Sequence, residues 1–194
     1  MIDYKRTAIK RGKPSRPLKD LLFFLEDNNM NPKDFLWFDY GCGRGDDVKH
    51  LVDSGATAFG WDPHWNSDGI AFKHMDIVTC TYVLCVLDEI QDRIDCIQTA
   101  WEKVNDKDGT LAIFVRTKEE IDAEAIKNNW TQYNDGYITK NNTFQKGYRY
   151  GDLNALVTAA IPYNQCGMVA DFSKNGYVGM LLRKTNSSNL EEPK

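Results

Sequence analysis

The stretch from Phe35 to Asp47, read as FLWFDYGCGRGDD, constrains the fold of this chain more than any other. Phe35 to Tyr40 is an apolar, aromatic run with the character of a buried strand. Gly41, Gly43 and Gly45 then alternate, and Asp46 to Ser54 is patterned as a helix. Strand, glycine turn and helix make the first half of a nucleotide-binding α/β unit. Glycine has no Cβ, so the turn takes φ > 0 and its backbone comes close to a ligand. The helix after it points unpaired N–H groups the same way. A purely structural turn has little need of three alternating glycines.

The spacing separates cofactor classes. Dinucleotide sites use G-x-G-x-x-G, with the pyrophosphate on the helix N-terminus. Here the pattern is G-x-G-x-G, and Asp46 and Asp47 occupy the first helical turn. Two carboxylates suit the positive end of the helix dipole but repel a pyrophosphate. They favour a cofactor with a cationic, amino-acid-like end, and Asp39, at the end of the strand, is placed to face an ammonium or sulfonium. Phe59 to Asp62 reads as the end of a second strand with an acid at its tip. An acid about 20 residues past the glycine turn accepts hydrogen bonds from ribose hydroxyls.

Asp39 to Gly45 and Gly60 to Asp62 together resemble motifs I and II of the class I S-adenosylmethionine-dependent methyltransferases. The resemblance implies a Rossmann-like, doubly wound, mostly parallel α/β sheet with a C-terminal antiparallel hairpin, and S-adenosylmethionine as cofactor. Carried over residue by residue, it sets Asp39, Gly41, Cys42, Gly43 and Gly45 against the amino-acid part of the cofactor and Asp62 against the ribose. Pro63 and His64 then lie at the adenine edge. An oxidoreductase using NAD is the distant alternative.

The remaining pattern fits alternating elements. Leu18, Leu21, Leu22 and Leu25 recur at helical spacing, so Pro17 to Asp27 reads as an amphipathic helix capped by Ser15. Further strands are expected at Ala56–Trp61, Asp76–Cys80 and Thr110–Val115. Helices are expected at Asp88–Val104, Lys118–Lys127 and Gly151–Ala160. The segment Pro63–Lys73 reads as irregular, leaving room for a very short third strand at most. Residues 130–147 form a long irregular region with room for a small hairpin. Gly167–Phe172 and Tyr177–Leu182, joined by an Asn-Gly turn at Asn175-Gly176, read as a terminal hairpin. We expect a basic arm at residues 1–16, one domain over 17–184 and a disordered tail at 185–194.

Charge is unevenly placed. Residues 1–19 carry seven Lys and Arg against Asp3, a net +6 that leaves −10 on the rest of a chain whose total is −4. An extended basic arm on an acidic body is a candidate phosphate-contacting element for DNA or RNA. Five cysteines with no C-x-x-C pair suggest a reducing cytoplasm without structural zinc. Scattered histidines suggest no metal site, and no apolar run approaches a membrane span.

Three further stretches, residues 7–18, the two motifs through Pro63, and residues 135–146, resemble the methyltransferases associated with DNA phosphorothioation systems and their phage-borne relatives. That resemblance implies a DNA-linked acceptor, a nucleic acid or modified nucleobase, and partner proteins of a modification system. The Pro-Pro motif of enzymes that methylate base amines is absent after Asp76–Cys80, where Cys80-Thr-Tyr-Val-Leu-Cys85 stands instead. No Pro-Cys nucleophile occurs either, so Cys85 reads as a packed thiol. Tyr82, Arg116, Gln145 and Lys146 are the candidate acceptor-binding residues, with no catalytic base identified. A small-molecule or protein methyltransferase, or a catalytically silent cofactor-binding subunit, is the alternative.

Overall fold

The computed structural model describes residues 2–174 and 176–185. In chain order the elements are α1 (Arg16–Asp27), β1 (Leu36–Tyr40), α2 (Asp46–Asp53), β2 (Thr57–Trp61), β3 (Ile77–Thr81), α3 (Ile90–Lys103) and β4 (Thr110–Arg116). Then follow α4 (Lys118–Asn128), β5 (Thr131–Tyr133), β6 (Gly136–Ile138), β7 (Phe144–Gln145), α5 (Tyr150–Ala160), β8 (Cys166–Asp171) and β9 (Tyr177–Lys184).

One six-stranded sheet runs in the order β2-β1-β3-β4-β9-β8. The strands β2, β1, β3 and β4 are parallel, β9 is antiparallel to β4, and β8 is antiparallel to β9. The central strands are covered on both faces, so they read as unbroken apolar runs rather than alternating ones. In β4, Ala112 and Phe114 join the core under α1 and α2, with Leu18, Leu21, Leu25 and Leu51. Leu111, Ile113 and Val115 join the opposite core, under α3 and α5, with Ile97, Ala100, Trp101, Leu153 and Val157. Ser15 caps α1 by accepting from the Leu18 N–H at 3.2 Å, and Pro17 occupies its first turn, as the sequence pattern predicts.

The terminal hairpin is formed as expected; Asn175 of its turn lies outside the described residues. So does the tail, apart from Thr185, whose N–H donates to the Gln165 carbonyl at 3.0 Å. Between β2 and β3 the described residues form a 3-10 turn, Ser67–Ala71, and no strand of the sheet. Phe72 stacks on Phe59 with centroids 4.3 Å apart, and Asn66 Nδ2 donates to the Gly60 carbonyl at 2.7 Å. This loop therefore covers the β2 edge of the sheet.

Residues 130–147 are more ordered than their composition suggests. They form a three-stranded antiparallel sheet, β5-β6-β7. Arg93 of α3, only 1% exposed, holds it in place with a bidentate pair to Asp135 at 2.6 and 2.7 Å. The same guanidinium donates to the Leu87 and Asp88 carbonyls, so it also fixes the loop after β3. Lys146 N donates to the Cys85 carbonyl and Tyr148 Oη to the Leu84 carbonyl, each at 2.8 Å.

The N-terminal segment is not an extended arm. Tyr4–Thr7 is a 3-10 turn, and the segment lies across the carboxyl ends of the parallel strands. Arg11 N donates to Asp46 Oδ2 and Ser15 N to Asp47 Oδ1, both at 2.6 Å. The Arg11 guanidinium lies 3.7 Å from the buried Asp47 carboxylate. Tyr4 Oη donates to Asp88, and Asp3 N donates to the Asn142 carbonyl at 2.8 Å. Asp46 and Asp47, chosen by the pattern for their effect on a ligand, are engaged in holding this segment.

Candidate functional site

The order of the sheet reverses at β1, whose neighbours β2 and β3 depart to opposite sides. In open α/β sheets a ligand lies outside the carboxyl ends of the strands at such a point. A cavity of about 550 Å³ is found there. Its wall combines the glycine turn, the tips of β2, β3 and β4, the amino-terminal half of α3, and Tyr4 to Arg11. The volume is in the range of about 300–1,000 Å³ usual for small-molecule and cofactor sites.

Gly41, Gly43 and Gly45 all take positive φ, +80°, +53° and +76°. At Gly41 a Cβ would come within 2.3 Å of Val83 Cγ2, so the turn is also tightly packed against the loop after β3. Asp62, at the tip of β2, joins the two halves of the site. Its Oδ2 accepts from Gly43 N at 3.1 Å, and its Oδ1 accepts from His64 N at 2.9 Å and Trp65 N at 3.1 Å. Tyr40 and Trp61 stack beside it, centroids 4.8 Å apart. Trp65 is covered by Arg44 at 3.8 Å and approached by Lys5 at 5.3 Å, which ties the N-terminal segment to this wall.

The cavity wall contains Gly41, Cys42, Gly43, Asp62 and Pro63 of the sequence-derived cofactor residues, but neither Asp39 nor Gly45. Asp39 lies behind the turn, buried, with Oδ1 accepting from Thr79 Oγ1 at 2.7 Å. Burial, reinforced by the charge of Asp47, pushes its carboxyl up to about 7. An acid so enclosed packs behind the turn, outside the cavity wall. Asp76 is at the opposite end of the sheet, where Oδ2 accepts from Leu36 N at 2.8 Å.

Of the acceptor candidates, Tyr82, Arg116 and Gln145 line the cavity and Lys146 does not. Lys146 pairs with Asp135 at 3.0 Å, so it belongs to the anchor of the small sheet. The Arg116 guanidinium is held by Glu124, at 2.6 and 3.1 Å, and by Glu120 at 3.1 Å. Burial opposes its charge, but these two carboxylates outweigh that and fix it as a cation. It is therefore a paired group at the cavity wall. Cys85 is buried, accepts from Arg116 N at 3.2 Å, and is pushed by burial up to about 12, which makes it an inert thiol. Tyr82 holds φ +65° directly after β3, a strained position of the kind found at functional sites.

Pattern reading missed Tyr4, Thr7 and Arg11, and also Asp92, Asp95 and Thr99 of α3. The last three follow i, i+3, i+7 spacing and so share one helix face, a signal present in the sequence. Among the described residues no cluster of three or more His, Cys, Asp or Glu is placed to hold a metal ion, and no helix is long and apolar enough to cross a membrane.

The fold that these features define is that of the class I S-adenosylmethionine-dependent methyltransferases. An S-adenosylmethionine-dependent methyltransferase from Clostridium acetobutylicum superposes with a TM-score of 0.60 at 11% identity, covering 94% of this chain and 95% of that one. The magnesium protoporphyrin IX methyltransferase of Synechocystis does so with a TM-score of 0.62 at 13% identity, covering 95% and 89%. The 1,6-didemethyltoxoflavin-N1-methyltransferase of Burkholderia thailandensis, solved with its substrate and S-adenosylhomocysteine, gives 0.59 at 14%, covering 88% and 79%. No protein-family model matches the sequence, and no curated protein is similar to it. At these identities the likeness is one of fold.

Proposed function

We propose that this chain is an S-adenosylmethionine-dependent methyltransferase. The observation that carries the reading is the hydrogen bond from Gly43 N to Asp62 Oδ2, which ties the glycine turn to the tip of β2 on the floor of a cavity at the switch point. The donor set fits the cofactor. A carboxylate has about four acceptor sites, and three backbone N–H groups occupy three on Asp62, leaving one for a ribose hydroxyl. Gly41, Cys42 and Gly43 offer close backbone to the amino-acid end, with Pro63 and His64 beside the base. Asp62, Asp92 and Asp95 at the wall favour a ligand with ammonium and sulfonium charges.

When bound, the cofactor supplies a methyl group activated by its sulfonium. The protein contributes orientation, in-line approach of the acceptor and a covered site. Tyr82 is pushed by burial up to about 12, as is Cys85, so both stay protonated near neutral pH. Neither acts as a base.

For the acceptor we propose a nucleic acid or modified nucleobase, on the resemblance to phosphorothioation-associated methyltransferases, which also suggests partner proteins of a modification system. A second reading, a small-molecule acceptor, is favoured by the N-terminal segment. It lies over the cavity, with Arg11 paired to Asp47, while its lysines and arginines stay exposed. Calorimetry with S-adenosylmethionine and S-adenosylhomocysteine, with NAD as control, tests the cofactor. Labelled-methyl incorporation into DNA, RNA and small-molecule extract then separates the acceptors. Binding of NAD alone overturns the methyltransferase reading.

A further inference from the structure

We propose that the β4 end of the cavity, resting on the methyltransferase reading, is a subsite for a small, neutral, planar heterocycle with adjacent hydrogen-bond donor and acceptor atoms, recognised by the Gln145 amide and the Tyr82 hydroxyl. Both side chains are partly buried, line the cavity and have no hydrogen-bond partner among the described residues. Backbone links join the segments that carry them. Tyr82 N donates to the Phe114 carbonyl at 2.7 Å, Cys85 N to the Tyr82 carbonyl at 3.2 Å, and Lys146 N to the Cys85 carbonyl at 2.8 Å. The strand β7 sets the direction of Gln145. Phe144 is fully buried beneath the small sheet, so the alternation of a strand turns Gln145 to the cavity.

A carboxamide is planar and presents one acceptor and one donor side by side. Its complement is a lactam or an amino-imine edge, as in the bidentate pairing of Gln with adenine. Charge at this end disfavours an anion. Arg116 is paired with Glu120 and Glu124, Arg11 with Asp47, and Lys146 is turned away to Asp135. Size is limited by the cover. Tyr4 is bonded to Asp88 on the loop after β3, and Asp3 to Asn142 in the turn before β7, so the N-terminal segment closes over this end.

The test uses the full chain saturated with S-adenosylhomocysteine, titrated with uracil, hypoxanthine and adenine, and with their charged counterparts orotate and adenosine monophosphate, followed by ligand-observed NMR. At least one neutral base should bind, at least tenfold more tightly than the charged compounds. Gln145→Ala and Tyr82→Phe should each weaken it about fivefold, the worth of one hydrogen bond of about 1 kcal/mol. Gln145→Glu, which keeps the size and loses the donor, should weaken it at least as much. No binding by any neutral base, equal binding by the charged compounds, or variants that change nothing would each overturn the proposal. Calorimetry with S-adenosylhomocysteine on the same samples reads the cofactor site separately, so retained cofactor binding without base binding refutes the subsite alone.

Discussion

Asp62 offers a sharp test because both of its oxygens are engaged in opposite directions. Oδ2 accepts from Gly43 of the glycine turn, and Oδ1 accepts from His64 and Trp65 of the following loop. An Asn has a single acceptor oxygen. In either orientation of Asp62→Asn, the amide NH₂ faces a backbone N–H, so one side of the link is lost. A hydrogen bond to a charged group is worth about 1.5–3 kcal/mol, and the Asn variant should lose about that much stability. For a chain of this length that corresponds to a fall in melting temperature of roughly 3–12 °C. Asp62→Ala should lose at least as much. The loosened turn and the missing ribose acceptor should together weaken S-adenosylhomocysteine binding by about 10–100-fold, at 1.4 kcal/mol per decade. Urea denaturation and calorimetry measure the two effects separately. A stability loss with unchanged affinity would refute the ribose assignment, and an unchanged midpoint in the Asn variant would refute the account of the turn.

Two further outcomes are expected. Because Asp39 is raised from 3.8 to about 7, the native state holds an extra proton over that window; the associated stability is full below about pH 4 and is lost as pH rises through 7. Asp39→Asn should therefore match the wild type in urea unfolding at pH 4 and exceed it at pH 8, and identical pH profiles would contradict this. Deleting residues 1–13 removes Tyr4, Thr7 and Arg11 from the cavity wall and the countercharge from buried Asp47. Cofactor affinity should fall at least tenfold, measured by calorimetry, and an unaltered affinity would show the segment to be a bystander.

The parts of this fold legible in the sequence are those built by local rules. Helix α1 announces itself through Ser15, Pro17 and its leucines; β1 and β4 through apolar runs that only a doubly covered strand tolerates. The glycine turn and Asp62 were legible because backbone conformation and a fixed separation leave a pattern. How the charges pair is not legible there. Arg11, Arg116 and Lys146 look alike in a sequence, and each proves to be neutralised by an acid 36, 8 or 11 residues distant. Pairing at such separations depends on tertiary packing, which no local pattern encodes. The small sheet was hidden for a related reason, since strands as short as β5, β6 and β7 draw their order from long-range contacts, such as that of buried Arg93 with half-exposed Asp135, and not from propensity.

The loop that stands between β2 and β3 has a consequence for how ligand binding is sensed. Asp62 pairs its backbone with Asn66 in both directions, at 2.9 and 3.0 Å, and Asn66 in turn caps the Gly60 carbonyl on the open side of the sheet. Fraying of that outer strand and loosening of the glycine turn are thus one event, shared through a single aspartate. Amide hydrogen exchange along Ala58 to Trp61 should slow when the cavity is filled, making the sheet margin a built-in reporter of occupancy.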